Sequence, residues 1–435
     1  NTVEAVENDI KKKKAKMLFE TTALGKLTEE QLAQLELDTE EQRDARIQAT
    51  REVYGKSVLF DYSYKFFYED GYGKESLILN LNPEQDKQDK RRYEYFTACL
   101  LSFYQQQYLF NKHKDKLAEF SIEKPLWVFV GNTVGGEDSD IHAVLRFLAW
   151  FLNNEAQAKA WIKDLVDNKA RILDTKDRNI FEKRFIALMN GPEDIYADIL
   201  AKLFNTTHSG QRLRVLNLIG SKGELALQVG EAAPFGLINI GDSPSLYAMC
   251  EEDESFDYQR DDFAKTLFHT LNDKDSKLHI LIGSRKFTEG WSSWRVSTMG
   301  LLNMGRGEGS QIIQLFGRGV RLKGRDYSLK RSTPGQRPKG IHLEKLETLN
   351  IFGVRADYMA TFKQYLEDEG ITPSDEILEL NFETRPNLPA TKLKTLKLKD
   401  GYKDNQKHGF KRVHYPELYQ VPAEFEGKIK LPHVK

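Results

Sequence analysis

The stretch SQIIQLFGRGVRLKGR, residues 310–325, gathers the most chemistry in this chain. Gln314, Gly317, Arg318 and Arg321 recur at i, i+3, i+4 and i+7, and Ser310 can cap a helix over 310–322. The spacing therefore sets all four on one helical face. A guanidinium is planar, always charged and fork-shaped, so two of them beside an amide suit the charge that develops on a transferring phosphoryl group. The glycine admits a close approach. A basic face turned only to water, or laid on nucleic-acid phosphates, would use the same residues.

A second constellation precedes it. LHILIGS, residues 278–284, reads as a buried strand, and GSRKFTEGWSSW, residues 283–294, follows as its exit loop. Such loops are where parallel α/β sheets bind ligands. This one offers the hydroxyls of Ser284 and Thr288, the Glu289 carboxylate and Gly290. Trp291 and Trp294 are expected to pack, with stacking on a base or adenine as the alternative.

These residues resemble a known family: superfamily 2 helicases and translocases of the DEAD/DEAH type, most closely the motor subunit of type III restriction enzymes. Gln314-x-x-Gly317-Arg318-x-x-Arg321 resembles motif VI, Phe287-Thr288-Glu289-Gly290-Trp291 resembles motif V, and WVFVGNTV at 127–134 stands where motif IV belongs. The resemblance spans about residues 124–325 and implies a second RecA-like domain that closes on ATP. In it, Arg318 and Arg321 would reach the phosphates, Gln314 would organise the interface, and Gly317, Glu289 and Gly290 would border the nucleotide. Thr133, Ser284 and Thr288 would contact a DNA backbone, as suits a motor that does not read bases. The implied partners are DNA, as a duplex, and a methyltransferase or specificity subunit. Relatives often carry Asp after Glu-Gly-Trp, and Ser292 stands there, which removes a carboxylate contact to ribose.

A complete motor also needs G-x-x-x-x-G-K-[ST] and an acidic magnesium motif. Gly55-Lys56-Ser57 has the right ending, but Thr50 occupies the first-glycine position. Gly73-Lys74 is preceded by Tyr68 at that position and followed by Glu75. The cofactors ATP and Mg2+ are therefore expected to be held mainly by a first RecA-like domain lying upstream, and this chain alone is expected not to hydrolyse ATP. No metal site is expected within it. Asp375, Glu376, Glu379 and Lys392 form a weak nuclease-like set that ordinary surface charge explains. A non-catalytic nucleic-acid or partner-binding scaffold and an RNA helicase are the competing readings.

The elements that must position these groups read as α/β. Residues 1–123 are expected to form a helical and hairpin linker, with a Thr28/Gln31 capping box, a Lys11–Lys14 run, a two-stranded unit over 58–81 and a long helix from Asn82 and Pro83 to Phe120. Residues 124–333 are expected to form a RecA-like parallel-sheet domain. It would carry a helical insertion at about 154–206, a hairpin turning at Ser221–Gly223 and a buried strand at 296–304. Residues 334–435 are expected to form a small mixed α+β domain. Lys+Arg 64 against Asp+Glu 65 leaves a net charge of -1, so any polyanion must meet a local patch rather than a global field. Two cysteines, Cys99 and Cys250, cannot build a disulfide framework or a four-cysteine zinc site and read as core thiols, and with no apolar run long enough to span a membrane the expected location is the cytoplasm.

Overall fold

The computed structural model describes residues 62, 64–79, 81–82, 89–130, 139–174, 176–262, 265–283, 291, 293–302 and 309–353. All belong to the first of two compact units, Asn1–Leu378; the second, Glu379–Lys435, lies outside the described residues. In chain order the elements are α1 (Tyr64–Glu69), β1 (Glu75–Leu79), α2 (Asp89–Leu117), β2 (Leu126–Val130), α3 (Asp140–Asn153), α4 (Glu155–Val166), α5 (Pro192–Leu203), β3 (Leu213–Leu218), β4 (Glu224–Val229) and β5 (Gly236–Asn239). There follow α6 (Ser243–Glu252), β6 (Phe256–Asp261), β7 (Ile280–Ile282), β8 (Val296–Leu301), α7 (Gly309–Gly319), α8 (Leu343–Leu346) and β9 (Thr348–Gly353).

The chain is a mixed α/β protein built on one nine-stranded sheet in the order β1-β9-β8-β2-β7-β5-β4-β3-β6. Every neighbouring pair is parallel except the two that involve β4. The interior strand β2, LWVFV, is buried at every position, as a parallel strand covered on both faces must be. Its side chains alternate: Trp127 and Phe129 join one apolar cluster, while Leu126, Val128 and Val130 join another. The first cluster is completed by α2, α3, α4, α5 and α6, through residues such as Phe103, Phe147, Ile162, Ile199 and Leu246. The second is closed by Leu315, Phe316 and Val320 of α7 and its exit, by Phe268 and Leu271, and by Tyr64 and Trp291 at its margin. Burying those three residues of the α7 region contributes on the order of 5–9 kcal/mol.

Several expectations change. Tyr64–Glu69, read as a strand of a two-stranded unit, is a helix: Tyr64, Phe67 and Tyr68 share one side, where Tyr64 meets Phe316 edge-on with ring centroids 5.1 Å apart. That packing overrides the β preference of the aromatics. SLIL does form a strand, but it lies in the main sheet, pairing Glu75–Leu79 with Thr348–Phe352. The sheet thus runs across both expected domain limits, 123/124 and 333/334. Nor does the chain part from the sheet at Pro334: Ile341, Leu343 and Leu346 pack on Leu109, Phe110 and Leu117 of α2, and the buried Glu347 carboxylate accepts from the amide and hydroxyl of Ser332. The expected insertion contains α4 and α5, separated by turns through 167–191 that include a bridge between Leu173 and Asn179.

Other expectations hold. α2 reaches Leu117 and a 3-10 turn continues to Phe120. The β3–β4 hairpin turns where expected, with Gly223 at φ +87 and the oxygen of Ile240 2.7 Å from where a Cβ would stand. Both cysteines are buried thiols. Among the described residues no helix is long and apolar enough to cross a membrane. The Thr28/Gln31 box, the Lys11–Lys14 run, Pro83, and Asp375, Glu376, Glu379 and Lys392 lie outside the described residues.

Candidate functional site

Three adjacent strands carry the segments singled out in the sequence. β2, flanked by β8 and β7, leads into 131–138; β7 leads into 284–290; β8 leads into α7. Because the three are parallel, all leave the same edge of the sheet, and they end nearly level: Gly283 N donates to Phe129 O at 2.8 Å and Leu302 N to Val130 O at 2.8 Å. The connection from β7 to β8 steps over β2, and the strands continue to be added in the direction set from β5 to β7.

The described parts of both connections, Trp291 and α7, border the same apolar cluster on one face of the sheet. Trp291, late in the first, rests against Phe268 with ring centroids 5.2 Å apart and borders the cluster formed by Leu126, Val128, Leu281 and α7. Trp291 is thus a packing residue, whereas Trp294 is 40% exposed. Thr133, Ser284, Thr288, Glu289 and Gly290 lie outside the described residues; only the strand ends that deliver them are placed.

The arginine segment is described in detail, and its helix differs from expectation. It spans Gly309–Gly319, so Ser310 is inside it and Arg321 lies beyond its end rather than one turn along the same helix. The last residue of the helix is packed too tightly for a side chain. A Cβ at Gly319 would stand 2.8 Å from Met299 Cε and 2.9 Å from Leu349 Cδ2, so the backbone presses directly on β8 and β9 there. Even so, the exposed side is continuous: Gln314, Gly317 and Arg321 are exposed and Arg318 half-buried, while Leu315, Phe316, Gly319, Val320 and Leu322 point inward. At about 1.5 Å per residue, Arg318 stands roughly 13 Å along the helix from Gly309. The two arginines flank Val320, whose carbonyl meets the Lys74 amide just before β1, so this flank lies toward the edge of the sheet opposite the strand ends.

No protein-family model, curated protein or solved structure matches this chain.

The chemistry of the flank thus rests on its own geometry. Partial burial lowers the Arg318 pKa below its ordinary value, and the Arg321 charge adds to the effect, so the two cations are close enough to repel. An anion between them would offset the repulsion. Lys323 and Arg325 just beyond are ion-paired with Glu123 and Glu119, whereas among the described residues no carboxylate pairs with Arg321. Among the described residues nothing lies within 4 Å of where a Cβ on Gly317 would be. A mid-helix glycine costs about 0.5–1 kcal/mol relative to alanine, and no neighbour among the described residues requires that sacrifice.

Two residues around this flank escaped the sequence reading. Lys74 is fully buried, its Nζ donates to Val296 O, and burial pulls its pKa down to about 7. Arg331 donates to Tyr68 O at 2.8 Å and Tyr72 O at 2.7 Å and lies over the Tyr68 ring at 4.4 Å. Neither carries a local signal, because both act on chain segments far away in sequence. Among the described residues no cluster of His, Cys, Asp or Glu could hold a metal ion.

Proposed function

We propose that this chain supplies the second RecA-like half of an ATP-driven DNA translocase or helicase of the restriction type, with Arg318 and Arg321 facing the phosphates of ATP. The observation that supports it is the flank itself: two mutually repelling guanidiniums, one without a carboxylate among the described residues, beside a glycine whose outer side is open. Such a surface fits a polyphosphate anion held by a facing domain. Gln314, exposed one turn before Arg318, would donate or accept at the same interface.

Bound ATP would bring a γ-phosphoryl group whose negative charge must be neutralised as it transfers. The arginines would meet that charge with preorganised, charge-assisted hydrogen bonds and would need no reorganisation during the reaction. The phosphate loop and the magnesium ligands would come from another domain or polypeptide, since no G-x-x-x-x-G-K-[ST] occurs in these 435 residues. The segments leaving β2 and β7 at the strand-end edge would track the DNA backbone.

Purified alone, the chain should hydrolyse no ATP. Joined to or assembled with the phosphate-loop half, it should show turnover stimulated by duplex DNA, and Arg321→Glu should abolish that stimulation while DNA binding at one fixed salt concentration is retained. Unchanged turnover in Arg321→Glu would overturn the assignment and leave a binding scaffold. Stronger stimulation by RNA than by DNA would redirect the substrate.

A further inference from the structure

The exit of the arginine helix is held by chain from the other end of the described sequence. Val320, between the two arginines, has a carbonyl with no helical partner; it accepts from Lys74 N at 2.6 Å. Gly73 N donates to Leu329 O at 2.8 Å and Arg331 N to Gly71 O at 2.8 Å, and Tyr72 forms an antiparallel bridge with Lys330. Gly73 is required here. Its φ is +69, and a Cβ would stand 2.8 Å from Val320 O and 2.9 Å from the Phe67 ring.

Arg331 locks the two segments together. One guanidinium nitrogen reaches Tyr72 O at 2.7 Å and Gly73 O at 3.2 Å, and the other reaches Tyr68 O at 2.8 Å. The charge lies at the carbonyl end of α1, where a cation is favoured, and over the Tyr68 ring. A planar fork can bridge carbonyls that an ammonium must choose between. From the opposite side, Tyr64 of α1 bears on Phe316 in the middle of α7. Residues 64–74 thus grip both the body of the arginine helix and the backbone by which it ends.

We propose that Arg331 is a positioning residue of the arginine site: by clasping 68–74 to 320–331, it fixes where α7 stops and hence where Arg321 stands relative to Arg318. The clasp also makes that spacing responsive to any pull on α1. This inference rests on the reading of the two arginines as phosphate-facing, but its structural half can be tested without ATP.

The test uses Arg331→Ala and Arg331→Lys in the full chain. Amide hydrogen exchange should accelerate at least tenfold at Gly73, Lys74 and Arg331 in the alanine variant, and less in the lysine variant, while Leu126–Val130 and Ile280–Ile282 stay protected. Acceleration of the central strands as well in the alanine variant would mark general unfolding, and the lysine variant then decides. In the assembled ATPase, kcat should fall at least tenfold with KM for ATP within twofold of wild type, and lysine should restore part of it. Unaltered exchange at 73, 74 and 331 overturns the clasp. Accelerated exchange with unaltered kcat, while Arg318→Ala is inactive, overturns the positioning role. An active Arg318→Ala instead sinks the ATP reading, and the clasp then stands only as a helix cap.

Discussion

Replacing Lys74 with methionine should stabilise the protein at neutral pH and destabilise it in alkali. Lys74 is 3% exposed and its ammonium has Val296 O as acceptor, so desolvation lowers its pKa from 10.5 to about 7. In the unfolded chain the group titrates near its ordinary value. Between about pH 7 and 10.5 the unfolded state therefore binds more protons, and stability rises with pH across that window. At about 1.4 kcal/mol per pH unit, a window of roughly 3.5 units withholds about 5 kcal/mol at pH 7. Methionine occupies a similar volume without charge but leaves the Val296 carbonyl without its donor, at a cost of about 1–2 kcal/mol. The variant should thus gain about 3 kcal/mol at pH 7 and lose about 1–2 kcal/mol near pH 10.5, with the sign changing between about pH 9 and 10. Urea midpoints followed by tryptophan fluorescence at pH 7, 8, 9 and 10 supply the comparison. A variant-minus-wild-type difference that is flat with pH, or a Lys74→Met protein weaker than wild type at pH 7, would refute the reasoning.

Gly317→Ala should raise stability by about 0.5–1 kcal/mol because the helix gains and nothing is struck, yet it should lower DNA-stimulated ATP turnover; a stable and fully active variant would count against a close-approaching partner. Gly300→Ala should cost about 1–3 kcal/mol, since its Cβ would stand 2.4 Å from Phe129 Cδ1 inside the sheet, and an unchanged melting temperature would contradict that. His279 is held neutral: burial, with Lys124, Arg295 and Lys277 nearby, lowers its pKa well below 6.5, and its ring nitrogens meet Gln107 and Asn205. Its contribution is present above pH 6.5 and is lost as pH falls, because the unfolded chain then takes the proton first. Wild type should weaken relative to His279→Gln as pH falls below 6.5, and equal slopes in urea titrations would exclude the effect.

What the sequence disclosed follows from how locally each feature is encoded. β7, β8 and the β3–β4 hairpin were legible because continuous burial and a Ser-Lys-Gly turn leave a mark within a few residues. β6, FDYQRD, was missed because it is an edge strand with an exposed middle, so neither continuous apolarity nor clean alternation appears. β9 was missed because Asn350 interrupts an apolar run; it sits buried beside β8, a fact of tertiary context. At the candidate site Gln314, Gly317 and Arg321 are exposed beside the half-buried Arg318, but the end of α7 was not legible. Arginine and leucine after Val320 are good helix formers, and the early stop depends on tertiary context: Gly319 lies tight against Met299 and Leu349, and the Val320 carbonyl is taken by the Lys74 amide. The roles of Lys74 and Arg331 depend on partners 222 and 258–263 residues away, which no window of sequence can reveal.

The pairing of β1 with β9 also orders the assembly of the molecule in time. The β3–β4 hairpin closes within a few residues, but Glu75 meets Thr348 only after nearly every other strand has been laid down. Contacts so distant in sequence are slow to form, so α1 and β1 must wait at the front of the chain while the centre of the sheet condenses behind them. During refolding, burial of Trp127 should therefore precede protection of the Lys74 amide. The helix bearing the arginines would spend that interval uncapped, and the arginine flank would be the last part of the sheet's covering to set.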